Sequence, residues 1–221
     1  MQSIQKLFSA TDLNRIQEAV KEAEQKTAGE IVPYFVESSD SYEEALWRAA
    51  GFMVLLVLFS AFFVHRFTDL WFPIGIRELS LLTMLAGSLA AAITHFAAPL
   101  KRFFAGRTMI ERRVQQRAGE AFLSEEVFKT RDRTGILIFL SFLEREVVVL
   151  GDSGINQKVQ KHEWDHVVEL IVNGIKSGNP TQGLIDGIRA CGELLEKKDV
   201  ARRADDRDEL SNRMRVGGEK P

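Results

Sequence analysis

Two long apolar runs constrain this chain more than any other feature of its sequence. They cover residues 45–64 and 79–98, contain no Asp, Glu or Lys, and include a single arginine, Arg48. A helix rises about 1.5 Å per residue, so about 20 apolar residues cross the hydrocarbon core of a bilayer. We therefore predict two transmembrane helices joined by a polar loop at 66–78, a hairpin that places both flanking segments on one side of the membrane.

A water-soluble protein with two buried core helices is the alternative. The mean hydropathy of the whole chain, −0.09, would allow it. That average combines strongly charged flanks with two runs that are nearly free of charge, which favours the membrane. Small residues in the second run, such as Gly87 and Ser88, favour close packing of this helix on the first helix or on another copy of the chain. A homo-oligomer is therefore one of two alternatives.

Basic residues near the ends of the apolar runs predict the orientation of the chain. The loop between the runs contains only two arginines, Arg66 and Arg77. Basic residues are more frequent directly after the second run, where they are Lys101, Arg102, Arg107, Arg112, Arg113 and Arg117. The more basic side of a membrane protein faces the cytoplasm. We expect a multi-pass protein of the inner (plasma) membrane with both termini in the cytoplasm and with the lipid bilayer as its first partner.

The overall charge and the cysteine content exclude several other classes. The chain has 29 Lys and Arg against 31 Asp and Glu, a net charge of −2, which argues against a nucleic-acid partner. The single cysteine, Cys191, excludes an internal disulfide and a zinc site with several cysteines. We therefore expect a membrane protein or a cytoplasmic protein as the further partner.

The segment before the hairpin, residues 1–44, has the pattern of a helix followed by a strand. Ser9 and Asp12 fit a capping box, and apolar residues at helical spacing follow them. The next segment, 30–36, is rich in β-branched and aromatic residues, which is typical of a strand. Pro33 within it indicates an edge or a bulge, because proline cannot donate to a ladder.

The segment after the hairpin, residues 99–197, completes a small soluble domain. It begins with a basic juxtamembrane helix. Two apolar segments, 135–143 and 146–150, predict an antiparallel strand pair, which we expect at the centre of the sheet. Two amphipathic helices follow. The last segment, 198–221, is highly charged without an apolar period, which predicts disorder.

The order of these motifs resembles the TPM domain family, in particular its membrane-bound bacterial members. The motifs that carry the resemblance are residues 27–32, 133–138, 144–149, 151–155, 176–180 and 183–188, together with Trp164. The resemblance implies an α/β sandwich, a small mixed sheet flanked by helices, here interrupted by the transmembrane hairpin. It also implies a link to acid phosphatase activity, to divalent cation binding, or to the protection or repair of membrane complexes.

Two aspartates are the candidate metal ligands. Asp132 precedes the first strand of the predicted pair and Asp152 follows the second, so an antiparallel hairpin brings them to the same end of the sheet. Carboxylates and loop carbonyls are ligands that Ca²⁺ or Mg²⁺ prefers, and the family resemblance supports such a site. Alternatively, Arg131 and Arg133 pair with both acids. A metal-dependent phosphatase would have to rely on a metal at Asp132 and Asp152.

The string His162-Glu163-Trp164-Asp165-His166 is a literal H-E-x-x-H. On one helix the two histidines would share a face and could bind Zn²⁺ while Glu163 activates water. The apolar series that contains Trp164 turns toward the sheet, which leaves the histidines to the side.

The sequence thus supports three functions in a definite order. We predict first a membrane-surface module that binds a protein or a divalent cation, then a metal-dependent acid phosphatase, and last a zinc peptidase.

Overall fold

The computed structural model of the chain describes residues 7–67, 75–200, 202 and 209–217. The chain forms two compact units. The sheet-bearing unit consists of Met1–Ser39 and Arg112–Pro221, and the apolar unit consists of Asp40–Glu111. This arrangement confirms the predicted α/β fold, a helix-flanked sheet interrupted in sequence by two apolar helices.

The helices and strands that the sequence predicts occur in the predicted order, together with short further elements that it does not predict. They are α1 (Ala10–Glu24), β1 (Glu30–Val36), α2 (Glu43–Phe67), α3 (Ile76–Phe96), α4 (Ala98–Ala105), α5 (Arg107–Ser124), β2 (Gly135–Ser141), β3 (Glu146–Gly151), α6 (Ser153–Asn156), a 3₁₀ turn (Lys161–Trp164), α7 (Asp165–Lys176), α8 (Pro180–Lys197) and β4 (Arg215–Val216). Helix α5 begins in the apolar unit and continues into the sheet-bearing unit.

The strands form a mixed sheet in the order β3-β2-β1-β4. Strand β1 pairs in parallel with β2 and with β4, whereas β2 and β3 form the predicted antiparallel hairpin. Strand β2 is central, but β3 lies at an edge. The expectation that the whole hairpin forms the centre was therefore wrong for β3, because β1 takes the inner position beside β2.

Pro33 lies in an interior strand without breaking its main ladder. The N–H of Glu30 donates to the carbonyl of Thr134 at 3.2 Å, so even-numbered residues of β1 direct their backbone groups to β2. Pro33 therefore directs its missing N–H to the other side, where β4 pairs only with Tyr34 and Phe35. The proline costs no hydrogen bond with β2.

Helices cover both faces of the sheet. One face, which includes Ile31 and Ile138, packs with α1, α7 and α8 in the main core. On the opposite face Tyr34 stacks on Phe139 with 5.7 Å between ring centroids. Burial, followed by the charge of nearby Glu125, raises the pKa of Tyr34, so Glu125 lies on this face as well. Glu125 directly follows α5, whose buried residues lie on one side of that helix at Val114, Ala118 and Ala121. Helix α5 therefore supplies the cover of this second face.

A capping box starts α1, and two glycines allow the close approach of α7 and α8. The Oγ of Ser9 accepts from the N–H of Asp12 at 3.1 Å, and the Asp12 carboxylate accepts from the N–H of Ser9 at 2.9 Å, so the capping box is confirmed. Gly174 and Gly183 form the crossing of α7 and α8. A Cβ on Gly174 would lie 2.4 Å from the Cα of Gly183, so neither position has room for a side chain.

In the apolar unit, α2 and α3 pack against each other. Gly87 of α3 faces Ala50 and Val54 of α2, and a Cβ on Gly87 would lie 3.0 Å from the Cγ2 of Val54. Helix α3 ends at Phe96, two residues before the predicted end, because Pro99 has no N–H with which to continue the helix. Most of the predicted loop, residues 68–74, lies outside the described residues.

The C-terminal segment corrects one prediction. Residues 198–221 were predicted to be disordered, but 209–217 lie against the sheet, where β4 pairs with β1. The N–H of Gly217 donates to the carbonyl of Phe35 at 2.7 Å, and the guanidinium of Arg215 binds the carbonyl and the carboxylate of Glu125. Long-range contacts of this kind order a segment that has no apolar period of its own.

Candidate functional site

Several acidic side chains lie at the end of the sheet where β1 and β2 begin. Strand β3 ends there as well, and the N–H of Asp152 donates to the carbonyl of Gly135 at 2.9 Å. The loop that carries Asp132 contacts the same region, since the N–H of Gly154 donates to the carbonyl of Arg133 at 2.9 Å. The structure thus places Asp132 and Asp152 at one end of the sheet.

The two aspartates have different environments. Asp132 is exposed, whereas Asp152 is 5% exposed. The carboxylate of Asp152 accepts from the N–H of Ser153 at 2.6 Å and caps α6, while its Oδ2 lies 2.9 Å from the Nε of Arg133. Arg133 is held in turn by Phe128, whose carbonyl it binds and whose ring lies 5.6 Å from its guanidinium carbon. Asp152 is therefore one half of a partly buried ion pair.

The described residues around the two aspartates supply few further ligands for a divalent cation. Ca²⁺ takes about 6–8 oxygen ligands and Mg²⁺ requires a nearly octahedral set. Among the described residues, no group of three or more His, Cys, Asp or Glu could hold an ion. The guanidinium of Arg133 lies against one oxygen of the Asp152 carboxylate, with its Nε 2.9 Å from Oδ2. Asp152 has an arginine partner, as the alternative interpretation of the sequence expected. A metal at Asp132 and Asp152 stays a prediction.

The H-E-x-x-H string is divided between two helical segments. His162 and Glu163 lie in the 3₁₀ turn and His166 lies in α7, so the two histidines do not occupy successive turns of one regular α-helix. Both histidines are exposed, as is Glu193 of α8, an acidic residue on the next helix that could serve as a third zinc ligand. Trp164 is buried in the main core, as predicted.

Glu163 is engaged in helix capping and in an ion pair. Its Oε2 accepts from the N–H of Gln160 at 2.9 Å, and its Oε1 lies 2.6 Å from the Nζ of Lys198. The hydrogen bond from Lys198, followed by that from Gln160, lowers the pKa of Glu163. A general base works best with a pKa near the operating pH, so this shift runs against a catalytic role. The arrangement does not fit a zinc peptidase.

Two buried carboxylates near the start of β1 were not expected from the sequence. Glu24 accepts from the N–H of Ile31 at 2.9 Å and from the side-chain amide of Asn212, while Glu30 accepts from the N–H of Leu210 at 3.3 Å. Their C-terminal partners are 188 and 180 positions away in the chain. No local pattern could have identified such pairs.

A third buried carboxylate lies at the opposite end of the sheet. Glu144, in the β2–β3 turn, accepts from the N–H of Ser39 at 2.8 Å and from the Oγ of Ser141 at 2.5 Å. The Oγ atoms of Ser39 and Ser141 are 2.7 Å apart. Ser141 is 3% exposed, and the network ties the turn to the end of β1.

The environment of the single cysteine disfavours its reactive thiolate form. Cys191 is fully buried in α8, and burial raises its pKa to about 12. A thiol in this environment is neither a nucleophile nor a metal ligand at neutral pH, because both roles need the thiolate.

Comparisons with known proteins identify the domain. Residues 104–194 match the family model of the TPM domain. The NMR structure of the BA42 protein from the psychrophilic bacterium Bizionia argentinensis is similar over 98% of this chain and 100% of that chain, with 23% identity and a TM-score of 0.60, a likeness that concerns the fold. No curated protein matches the chain significantly. The fold and the matched residues thus agree with the motifs read from the sequence, and residues 104–194 of this chain match the TPM domain.

Proposed function

We propose that this chain is an integral protein of the inner membrane whose TPM domain binds a protein partner at the cytoplasmic membrane surface. Helices α2 and α3 anchor the domain. The domain itself acts through its surface and carries out no hydrolysis.

The observation that carries the proposal is the exposure of apolar side chains along α2 and α3. Both helices are long and apolar enough to cross a membrane, and only 6% and 17% of their most apolar windows are buried. Trp47, Phe59 and Leu85 are 77%, 66% and 69% exposed. A core helix of a soluble protein would bury such residues. Lipid is the environment that removes them from water.

The sheet-bearing unit favours binding over catalysis. Its buried acids are engaged by Arg133, by backbone N–H groups and by side chains of the C-terminal segment. No cluster of metal-binding side chains occurs in the part of the chain that the structure describes. A surface that recruits a protein needs neither a metal nor a nucleophile.

Membrane extraction and reporter fusions test the anchoring. We expect the full chain to stay in the membrane fraction after alkaline carbonate and to dissolve in detergent. A reporter that is active only outside the cytoplasm should be silent at the C-terminus and active when inserted at Gly75, the matched control between the helices. Release by carbonate, or an active C-terminal fusion, would contradict the proposal.

A metal-dependent phosphatase is the second candidate function, because the matching family model is named TPM_phosphatase. Asp132 and Asp152, at one end of the sheet, would be the residues on which it depends. We expect Asp132→Asn and Asp152→Asn to leave the hydrolysis of a chromogenic phosphate ester at the background of the purified protein. A large loss in both variants, with Lys129→Ala unchanged, would favour the phosphatase.

A further inference from the structure

Helix α4 has the composition of a helix that lies in a membrane interface. It starts two residues after the end of α3, at the end of a proposed membrane span. Its apolar residues Leu100, Phe103 and Phe104 recur at the spacing of one helix face. Lys101 and Arg102 fall outside that face and are half-buried. Phe103 is 76% exposed and Leu100 is 38% exposed, so protein leaves this part of the apolar side of α4 uncovered.

Arg48 attaches the C-terminal end of α4 to the base of α2. Its Nη1 donates to the carbonyl of Phe104 at 3.0 Å and to that of Ala105 at 2.8 Å. The last carbonyls of a helix have no partner within the helix and carry the negative end of its dipole, so an arginine stabilises them. The ring of Phe104 lies 6.1 Å from that of Phe52 on α2. The single arginine of the first apolar run thus positions α4.

A glycine separates α4 from the helix that follows. Gly106 has a φ of +82°, a backbone conformation that residues other than glycine rarely adopt. Its N–H donates to the carbonyl of Arg102 at 3.1 Å and closes the last turn of α4. Helix α4 is therefore a separate element of eight residues and not the start of a longer helix.

We infer that α4 lies in the headgroup layer of the cytoplasmic leaflet and binds anionic phospholipid headgroups. The inference rests on the proposed membrane anchoring. Leu100 and Phe103 enter the boundary of the acyl chains, as in amphipathic helices that lie in an interface. Lys101 and Arg102 contact lipid phosphates, and each basic residue near an anionic surface strengthens binding about fivefold.

The depth of residues in a bilayer tests the position of α4. The full chain is reconstituted in vesicles of phosphatidylcholine and phosphatidylglycerol, and a nitroxide label is attached to Phe103→Cys, Phe59→Cys or Arg189→Cys. The native Cys191 is buried with a pKa of about 12, so we expect it to stay unlabelled. We expect the Phe59 label in the acyl core, the Phe103 label at a shallow depth, and the Arg189 label in water.

Two outcomes of this measurement are distinguishable. A Phe103 label as accessible to water as the Arg189 label, with the Phe59 label still in the acyl core, would overturn the interfacial position of α4. A Phe59 label in water would overturn the membrane anchoring on which the inference rests.

Lipid retention tests the role of the two charges. The ratio of phosphatidylglycerol to phosphatidylcholine that co-purifies with the protein is measured by mass spectrometry. We expect the double variant Lys101→Gln/Arg102→Gln to lower the preference for phosphatidylglycerol by up to about 25-fold, fivefold for each charge. The matched variant Lys21→Gln/Lys26→Gln removes the same charge from α1 and the turn that follows it, and it should leave the ratio unchanged. An equal ratio in the wild type and the α4 variant would overturn the headgroup site.

Discussion

Removal of Arg133 should destabilise the TPM domain more than neutralisation of Asp152, its partner. The Asp152 side chain is 5% exposed and that of Arg133 is 52% exposed. In Arg133→Ala the buried carboxylate keeps only the N–H of Ser153, and we expect a loss of about 3 kcal/mol, the lower end for a broken buried pair. In Asp152→Asn the buried charge disappears, an amide oxygen still caps α6, and water solvates Arg133. We therefore expect the free energy of unfolding to fall by only about 1–2 kcal/mol.

The free energy of unfolding is measured by urea titration of the full chain in detergent. The probe is the fluorescence of the buried Trp164 in a Trp47→Phe/Trp71→Phe background, which removes the other two tryptophans. The double variant Arg133→Ala/Asp152→Asn should be more stable than Arg133→Ala alone, because it no longer buries an unpaired charge. Lys129→Ala is the control, since it removes an ion pair with Glu126 in which both side chains are more than half exposed and should cost less than about 1 kcal/mol. A larger loss in Asp152→Asn than in Arg133→Ala would refute the reasoning.

The same titration tests the predicted metal. If Arg133 is the partner of Asp152, Ca²⁺ or Mg²⁺ should leave the unfolding midpoint of the wild type unchanged. A ligand at 100 times its dissociation constant stabilises a protein by about 2.7 kcal/mol. Stabilisation of this size in the wild type, absent from Asp132→Asn and Asp152→Asn, would establish the metal site and refute the ion-pair account.

Three further predictions concern the helix cap, the C-terminal segment and the buried thiol. Ser9→Ala should cost about 1 kcal/mol in urea unfolding. Hydrogen bonds from Ser9 lower the pKa of Asp12 in the folded state, so this contribution is present above the unfolded pKa and should fade as the pH falls through the folded pKa. Deletion of residues 209–221 uncovers the edge of β1 and should cause further association at rising concentration, measured by light scattering. A mass that stays that of the wild type would contradict the role of β4 as the cover of this edge. Cys191 should react with maleimide only after unfolding, and rapid labelling of the native protein would contradict its burial.

Features with local causes could be predicted from the sequence. The strands at 30–36 and 135–141, the capping box at Ser9 and the two apolar helices all depend on residues within a few turns or strand positions of one another. Composition and spacing determine them because their energies come from neighbours in the chain. The family motifs have the same local character, which is why the TPM domain could be identified from them.

Only the tertiary structure decided the contacts of the candidate site. The hairpin geometry places Asp132 and Asp152 at one end of the sheet, but the fold pairs Asp152 with Arg133 and buries it. Strand β4 forms in a charged segment because β1 offers it backbone partners and because Glu24 and Glu30 bind its neighbours. These partners are far apart in sequence, and the energy of each contact exists only once folding has removed the water between them.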